Sequence, residues 1–189
     1  MNSLEASALI TKRLNLRQLL EADAPQILAL RSNAEVNKYL DRASDTTIDE
    51  ARSFIKKIEG IVSRGEGFYW AITLKNDHKL IGTICYWNFE SADKKAEIGY
   101  ELYPDYHGQG FMQEAISAVL AFGFNDQHFE LVTACPKEGN QSSVKLLKKI
   151  GFSLSGDFTD DNTRSKYFDF RLAKSEYLKR LAINEKPGQ

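Results

Sequence analysis

Two glycines one residue apart, Gly108-Gln109-Gly110, stand just ahead of an apolar helical pattern. They let the main chain approach a ligand closely. The free N–H groups of the first helical turn, aided by the helix dipole, then attract an anion. A pyrophosphate suits such a turn, although ordinary strand-to-helix turns carry glycines as well. The spacing is not that of a P-loop, because no Gly-Lys-Ser/Thr follows, nor of the dinucleotide fingerprint, because a third glycine is missing. Immediately upstream, residues Ala96–Tyr103 alternate. Glu97, Gly99, Glu101 and Tyr103 share one strand face, and Ile98, Tyr100 and Leu102 share the other. Two carboxylates on one face are suited to general acid/base work, or are a solvated strand face. Further on, Asn140 and Ser143 open another helix. Their amide and hydroxyl can hold a ligand, cap the helix, or do both.

These residues need a scaffold, and the apolar spacing supplies one. Leu9–Leu16 reads as a strand. Asp23 opens a helix with Pro25 in its first turn and Ile27, Leu28 and Leu30 on its apolar side. Thr47 and Glu50 have capping-box spacing ahead of Ala51, Phe54, Ile55, Ile58 and Val62, and that helix stops near Gly65. Phe68–Leu74 and Leu80–Tyr86 form a hairpin around Asn76-Asp77. Ala96–Tyr103 is a further strand, stopped by Pro104. A helix follows over roughly Met112–Phe124, then a short buried strand over Leu131–Cys135. Asn140 caps a helix through Val144, Leu147 and Ile150 that ends at Gly151. Phe152–Phe158 and Lys166–Leu172 make a last hairpin. A short helix and a tail begin at Ser175. The order gives a mixed α/β (α+β) domain with an antiparallel centre. Its two late strand–helix crossovers imply parallel pairing there.

Composition narrows the function. The chain has 189 residues, 42% hydrophobic and 27% charged, enough for one domain with a substantial core. Lys plus Arg number 25 and Asp plus Glu 26, a net charge of -1, which argues against a nucleic-acid partner. Two cysteines, Cys85 and Cys135, point to a reducing, cytoplasmic setting. The first residues lack a signal-peptide pattern, and the longest nearly apolar stretch, Ala115–Phe124, is short of the ~20 residues that cross a bilayer. The histidines, His78, His107 and His128, have no metal-ligand spacing, so no metal site is expected. A Cys135/His107 nucleophile pair is weighed below the plainer reading of Cys135 as a core residue. Tyr69, Trp70, Tyr86 and Trp87 either line a pocket or pack the sheet. Lys145, Lys148 and Lys149 form a solvated helix face.

Three blocks at consistent separations carry a resemblance. They are Glu97-Ile98-Gly99-Tyr100; Gly108-Gln109-Gly110 with Glu114-Ala115; and Asn140-Gln141-Ser142-Ser143 with Leu147-Lys148-Lys149-Ile150-Gly151-Phe152. Together they resemble the GNAT acetyltransferase family, most closely its RimJ/RimL type, the ribosomal-protein N-terminal acetyltransferases. The resemblance spans Leu9 to Leu172. Two positions depart from the wider family pattern. Asp105 stands where Gln or Arg usually opens the cofactor loop, and Leu147 stands where many members carry a tyrosine general acid, so the acid is unassigned.

The resemblance implies a single GNAT domain over residues 1–174 with a mixed, mostly antiparallel sheet flanked by helices, and a helical tail over 175–189. It implies transfer of an acetyl group from acetyl-CoA to an amine in a ternary complex. The acceptor would be a protein N-terminal α-amine, with a small amine or a non-catalytic acetyl-CoA-binding module as alternatives. Cofactor contacts fall on Leu102, Tyr103, His107, Gly108, Gln109, Gly110, Phe111 and Met112, with Asn140 and Ser143. Catalytic roles fall on Glu97 or Glu101 as base and on Ser143 beside the sulfur. Tyr39 and Leu40 fall where acceptor access is shaped. By analogy a homodimer is expected. The base requirement depends on the acceptor. Neutralising a lysine amine at pH 7 costs ~4–5 kcal/mol, and an N-terminal amine only ~1 kcal/mol.

Overall fold

The computed structural model describes residues 8–90 and 93–184. Its strands are β1 (Leu9–Ile10), β2 (Leu14–Arg17), β3 (Phe68–Leu74), β4 (Leu80–Glu90), β5 (Lys95–Leu102), β6 (Leu131–Ala134), β7 (Ser153–Thr159) and β8 (Lys166–Ala173). They form one sheet in the order β1-β2-β3-β4-β5-β6-β8-β7. The helices are α1 (Ala24–Ser32), α2 (Ala34–Asn37), α3 (Ile48–Ser63), α4 (Phe111–Ala121), α5 (Gln141–Ile150) and α6 (Lys174–Asn184).

Alternation along the central strands sends side chains to two cores. Trp70, Ile72, Ile84, Tyr86, Ile98 and Leu102 face α4 and α5, where Ile116, Val119 and Leu147 are buried. Tyr69, Ala71, Leu80 and Cys85 face α1 and α3, against Ile27, Leu30, Ala51 and Ile55. Truncating a fully buried leucine in either core costs about 2–5 kcal/mol. The sheet is therefore rigid on both faces wherever its strands stay paired.

Several sequence expectations shift. The strand expected over Leu9–Leu16 breaks at residues 11–13, because Thr11 Oγ1 accepts the Leu14 N–H at 2.9 Å and turns the chain into a hairpin. Asp23 does not cap α1 with its side chain. The Arg17 guanidinium takes it instead through two 2.7 Å contacts, a stronger partner than a lone N–H. Thr47 and Glu50 do form the capping box of α3. The helix expected to run to Phe124 turns π-helical after Ala121. Of the two crossovers, one joins β5 to β6 as a parallel pair, whereas β8 inserts between β6 and β7. Helix α6 follows β8 directly and sets Tyr177 against Phe124 with ring centroids 4.8 Å apart. The end of the expected tail lies outside the described residues.

One pairing decides where a site forms. Strands β5 and β6 pair through Lys95↔Leu131, Ala96↔Val132 and Glu97↔Thr133, and then part. On its other edge β5 stays paired with β4 from Glu97 to Leu102. The second half of β5 thus has one edge satisfied and one open.

Candidate active site

A cavity of about 530 Å³ lies at this opening. Its wall combines residues from both faces of β5: Glu97, Gly99 and Glu101 from one, Ile98 and Tyr100 from the other. Asn140 and Ser143 of α5 line it, as do Tyr39 and Leu40 from the α2–α3 connection. The parting of the strands makes a passage through the sheet. A group entering beside α5 and one entering beside α3 would meet at β5.

The open edge supplies main-chain donors. The Tyr103 N–H bonds the Ile81 carbonyl at 2.9 Å. Pairing is in register from Gly82↔Leu102 to Trp87↔Glu97. By antiparallel alternation, the peptide groups of Glu97, Gly99 and Glu101 address β4, whereas those of Ile98, Tyr100 and Leu102 face the opening. The Leu102 carbonyl is taken by His107 Nε2 at 3.0 Å, which ties the glycine turn to the end of β5. The Tyr100 and Leu102 N–H groups remain aimed at the gap. Such donors stabilise charge developing on a carbonyl oxygen.

The glycine turn behaves as its residues demand. Gly108 and Gly110 have φ of 72° and 77°, the left-handed region that side-chain-bearing residues avoid. Gly110 is the N-cap of α4. Among the described residues, the N–H groups of residues 108–113 bond no acceptor. The turn is braced from a distance. Arg13 donates from Nη1 to the Gln109 carbonyl at 3.0 Å and from Nε to Glu114 at 2.6 Å, and its guanidinium lies 4.3 Å over the Phe111 ring. Burial alone would raise the Glu114 carboxyl, but hydrogen bonds from Thr11 and Arg13 outweigh it and hold it below its usual range. Not every expected contact residue turns its side chain this way. Met112 and Leu102 are buried in the core, and the Tyr103 hydroxyl donates to Gln26 O on the opposite face, so these offer only main chain.

The two candidate bases differ in what holds them. Glu101 is engaged at both oxygens. Thr83 Oγ1 donates to Oε1 at 3.2 Å, itself accepting from the Tyr69 hydroxyl at 3.0 Å. Arg42 Nη2 stands 2.7 Å from Oε2, an ion pair by distance without hydrogen-bond alignment. Glu97 accepts only from Asn88 Nδ2, at 2.9 Å on Oε2, and Oε1 has no partner among the described residues. Trp87 lies across Gly99, where a Cβ would come within 3.0 Å of the indole.

Asn140 caps α5 through Oδ1, which accepts the Ser143 N–H at 3.2 Å and the Ser142 hydroxyl at 2.9 Å. Its Nδ2 has no partner among the described residues. Ser143 Oγ is 2.8 Å from the Tyr100 hydroxyl. Burial pushes that phenol up to about 12, against a small opposing pull from Ser143. Tyr100 is a cavity-lining side chain that spacing missed. Alternation assigns its face, but only the parting of β5 from β6 opens that face to α5. Arg42 and Asp41 were missed too, for want of any local pattern. Asp41 is held well below the usual carboxylate range by hydrogen bonds from Lys137 and Tyr167. Of the aromatic residues considered, Tyr69 and Trp87 line the cavity, whereas Trp70 and Tyr86 are core. Cys135 also lines the cavity, but burial and then the charge of Glu97 push its thiol up to about 12, far from a ready nucleophile. Leu147 is fully buried in the core.

Comparisons with known proteins show the family and the fold. The acetyltransferase (GNAT) domain family matches residues 13–153. The chain is 35% identical over 146 residues to the uncharacterized N-acetyltransferase YoaA of Bacillus subtilis (strain 168), covering 77% of this chain and 82% of that protein. It is 30% identical over 173 residues to the uncharacterized N-acetyltransferase p20 of Bacillus licheniformis, covering 89% and 97%. Among solved structures, the ribosomal L7/L12 α-N-protein acetyltransferase RimL in complex with coenzyme A shares the fold. Its TM-score is 0.80 at 20% identity, over 88% of this chain and 98% of that one. The chain belongs to the GNAT family of acetyl-CoA-dependent N-acetyltransferases, with RimJ/RimL-like proteins among its relatives.

Proposed function

We propose that this enzyme acetylates a protein N-terminal α-amine by direct attack on acetyl-CoA in a ternary complex. The observation that carries the reading is the parting of β5 from β6 beside the amides of residues 108–113, which bond no acceptor among the described residues. The amides and the α4 dipole suit a pyrophosphate. In this reading the Asn140 amide holds the arm of the cofactor, and the Tyr100 and Leu102 N–H groups polarise the thioester carbonyl.

In this reading Glu97 is the base. Its free oxygen can take the amine proton through a water, while Glu101 is held by Arg42 and Thr83. An N-terminal amine makes a modest demand on such a base. Of the cavity acids, Glu101 and Asp41 are matched by Arg42 and Lys137, whereas Glu97 and Asp160 have no cationic partner among the described residues, so a small cationic amine is the competing acceptor. A homodimer and a cytoplasmic setting are part of the same proposal.

The test is acetyl-CoA with a panel of peptides and small amines, following thiol release. Peptides with free N-termini should turn over, and the same peptides blocked at the N-terminus should not. Turnover of polyamines in preference to peptides would replace this reading. Coenzyme A binding without turnover on any amine would reduce the protein to a binding module.

A further inference from the structure

Two hydroxyls facing each other carry two protons between them, and only one can lie in the shared hydrogen bond. Tyr100 and Ser143 are such a pair, at 2.8 Å. Where the second proton goes decides what Ser143 can do. Helical serines commonly return their proton to the carbonyl four residues back, as Ser117 does to Gln113 at 2.9 Å. Ser143 does not. The carbonyl four back, on Gly139, accepts the Gln141 N–H at 2.8 Å instead. The Tyr100 ring packs against the apolar core between the sheet and α5, and its hydroxyl has no partner besides Ser143 among the described residues. Either hydroxyl can donate by geometry, but the phenol, with an ordinary pKa of about 10, is the more acidic and hence the better donor, and the aliphatic oxygen is the better acceptor. With the phenol donating, the Ser143 proton is free to point into the cavity that both residues line.

We infer that Tyr100 is a positioning residue for Ser143: its phenol donates to Ser143 Oγ and thereby commits the Ser143 proton to the sulfur of the bound thioester. This rests on the acetyl-transfer reading above. As the tetrahedral intermediate collapses, the C–S bond breaks and its electron pair goes to sulfur. The Ser143 O–H donates a hydrogen bond to that thiolate and keeps its own proton. The amine proton goes to Glu97 through water, and solvent returns one proton to the thiolate, so the products are the amide and the free thiol. Leu147 then needs no hydroxyl, because the donor comes from the first turn of α5 and its polarity from β5.

A double-mutant cycle tests the inference. Tyr100→Phe keeps the packed ring and removes only the hydroxyl. Tyr100→Phe and Ser143→Ala should each lower kcat about tenfold, with KM for acetyl-CoA within about twofold. The double variant should be no slower than Ser143→Ala alone. Independent losses that multiply, or a Tyr100→Phe loss confined to KM, would overturn the assignment. A second readout needs no acceptor. Binding of coenzyme A relative to desulfo-coenzyme A is measured as pH rises through the ordinary thiol range, about 8.5. Wild type should gain preference for the sulfur compound several-fold, and Tyr100→Phe should lose that gain. If no amine is turned over while the sulfur preference persists and depends on Tyr100, the acetyl-transfer reading falls and the assignment stands. If turnover is normal and Tyr100→Phe changes neither readout, the assignment falls alone.

Discussion

The glycine turn at residues 108–113 presents main-chain donors, whereas the cavity at the parting of β5 from β6 presents mostly side chains. In the turn, Gly108 and Gly110 hold left-handed conformations and the N–H groups bond no acceptor among the described residues. Side-chain identity there matters mainly as bracing, through Arg13 and Glu114. In the cavity, the proposed chemistry depends on which carboxylate oxygen is free and which hydroxyl proton is spare. The two regions should therefore respond to mutation in opposite ways. Backbone conformation rules one, and single functional groups rule the other.

Four substitutions test that contrast. The largest effect is expected for Glu97→Gln. Loss of a general base lowers kcat by roughly 10²–10⁴, and coenzyme A affinity measured by calorimetry should stay unchanged. An equal loss from Glu101→Gln with Glu97→Gln silent would reverse the assignment of the base. Next comes Gly110→Val. Forcing a side chain into the left-handed region costs roughly 1–2 kcal/mol, so the coenzyme A Kd should rise about tenfold while kcat at saturation holds. A normal Kd would mean that the turn does not bind the cofactor through its conformation.

Smaller still is a pH effect at the brace. The folded Glu114 carboxyl is held low, so its stabilisation is complete above the ordinary glutamate range and is lost as pH falls through the lowered folded value. Wild type should melt above Glu114→Gln at pH 7 by roughly 2–4 °C, as expected for about 1 kcal/mol. The gap should close on acidification toward pH 3, and a constant gap would deny the carboxylate its role. The smallest effect belongs to Gln109→Ala, between the two glycines. Its side chain only returns to Asp105 O at 2.8 Å. Coenzyme A affinity should move less than about threefold. A larger loss would show that the turn uses side chains after all.

Legibility followed the range of the interaction. The caps at Thr47 and Asn140 and the glycine turn are local, within four residues, and their spacing identified them. The alternation of β5 was equally legible, and Glu97 and Glu101 do share a face with Gly99. What spacing could not supply was pairing. The break after Leu9–Ile10 depends on Thr11 and on Glu114, which meets it from 103 residues away. The difference between Glu97 and Glu101 depends on Arg42, whose segment has no periodic pattern to announce it. Trp70 and Tyr86 versus Tyr69 and Trp87 could not be sorted, because aromatic type is the same on a core face and a cavity face.

The residues alone carried the order of strands and helices apart from the break at residues 11–13 and the short helix α2, together with the glycine turn and the family, because apolar period, capping and glycine conformation are local consequences of side-chain type. Tertiary packing settled that β5 leaves β6 after Glu97, that Glu101 is occupied while Glu97 Oε1 has no partner among the described residues, and that Tyr100 faces Ser143. Those outcomes rest on hydrogen bonds and ion pairs between segments tens of residues apart. Their geometry exists only once two packed cores hold the sheet in place.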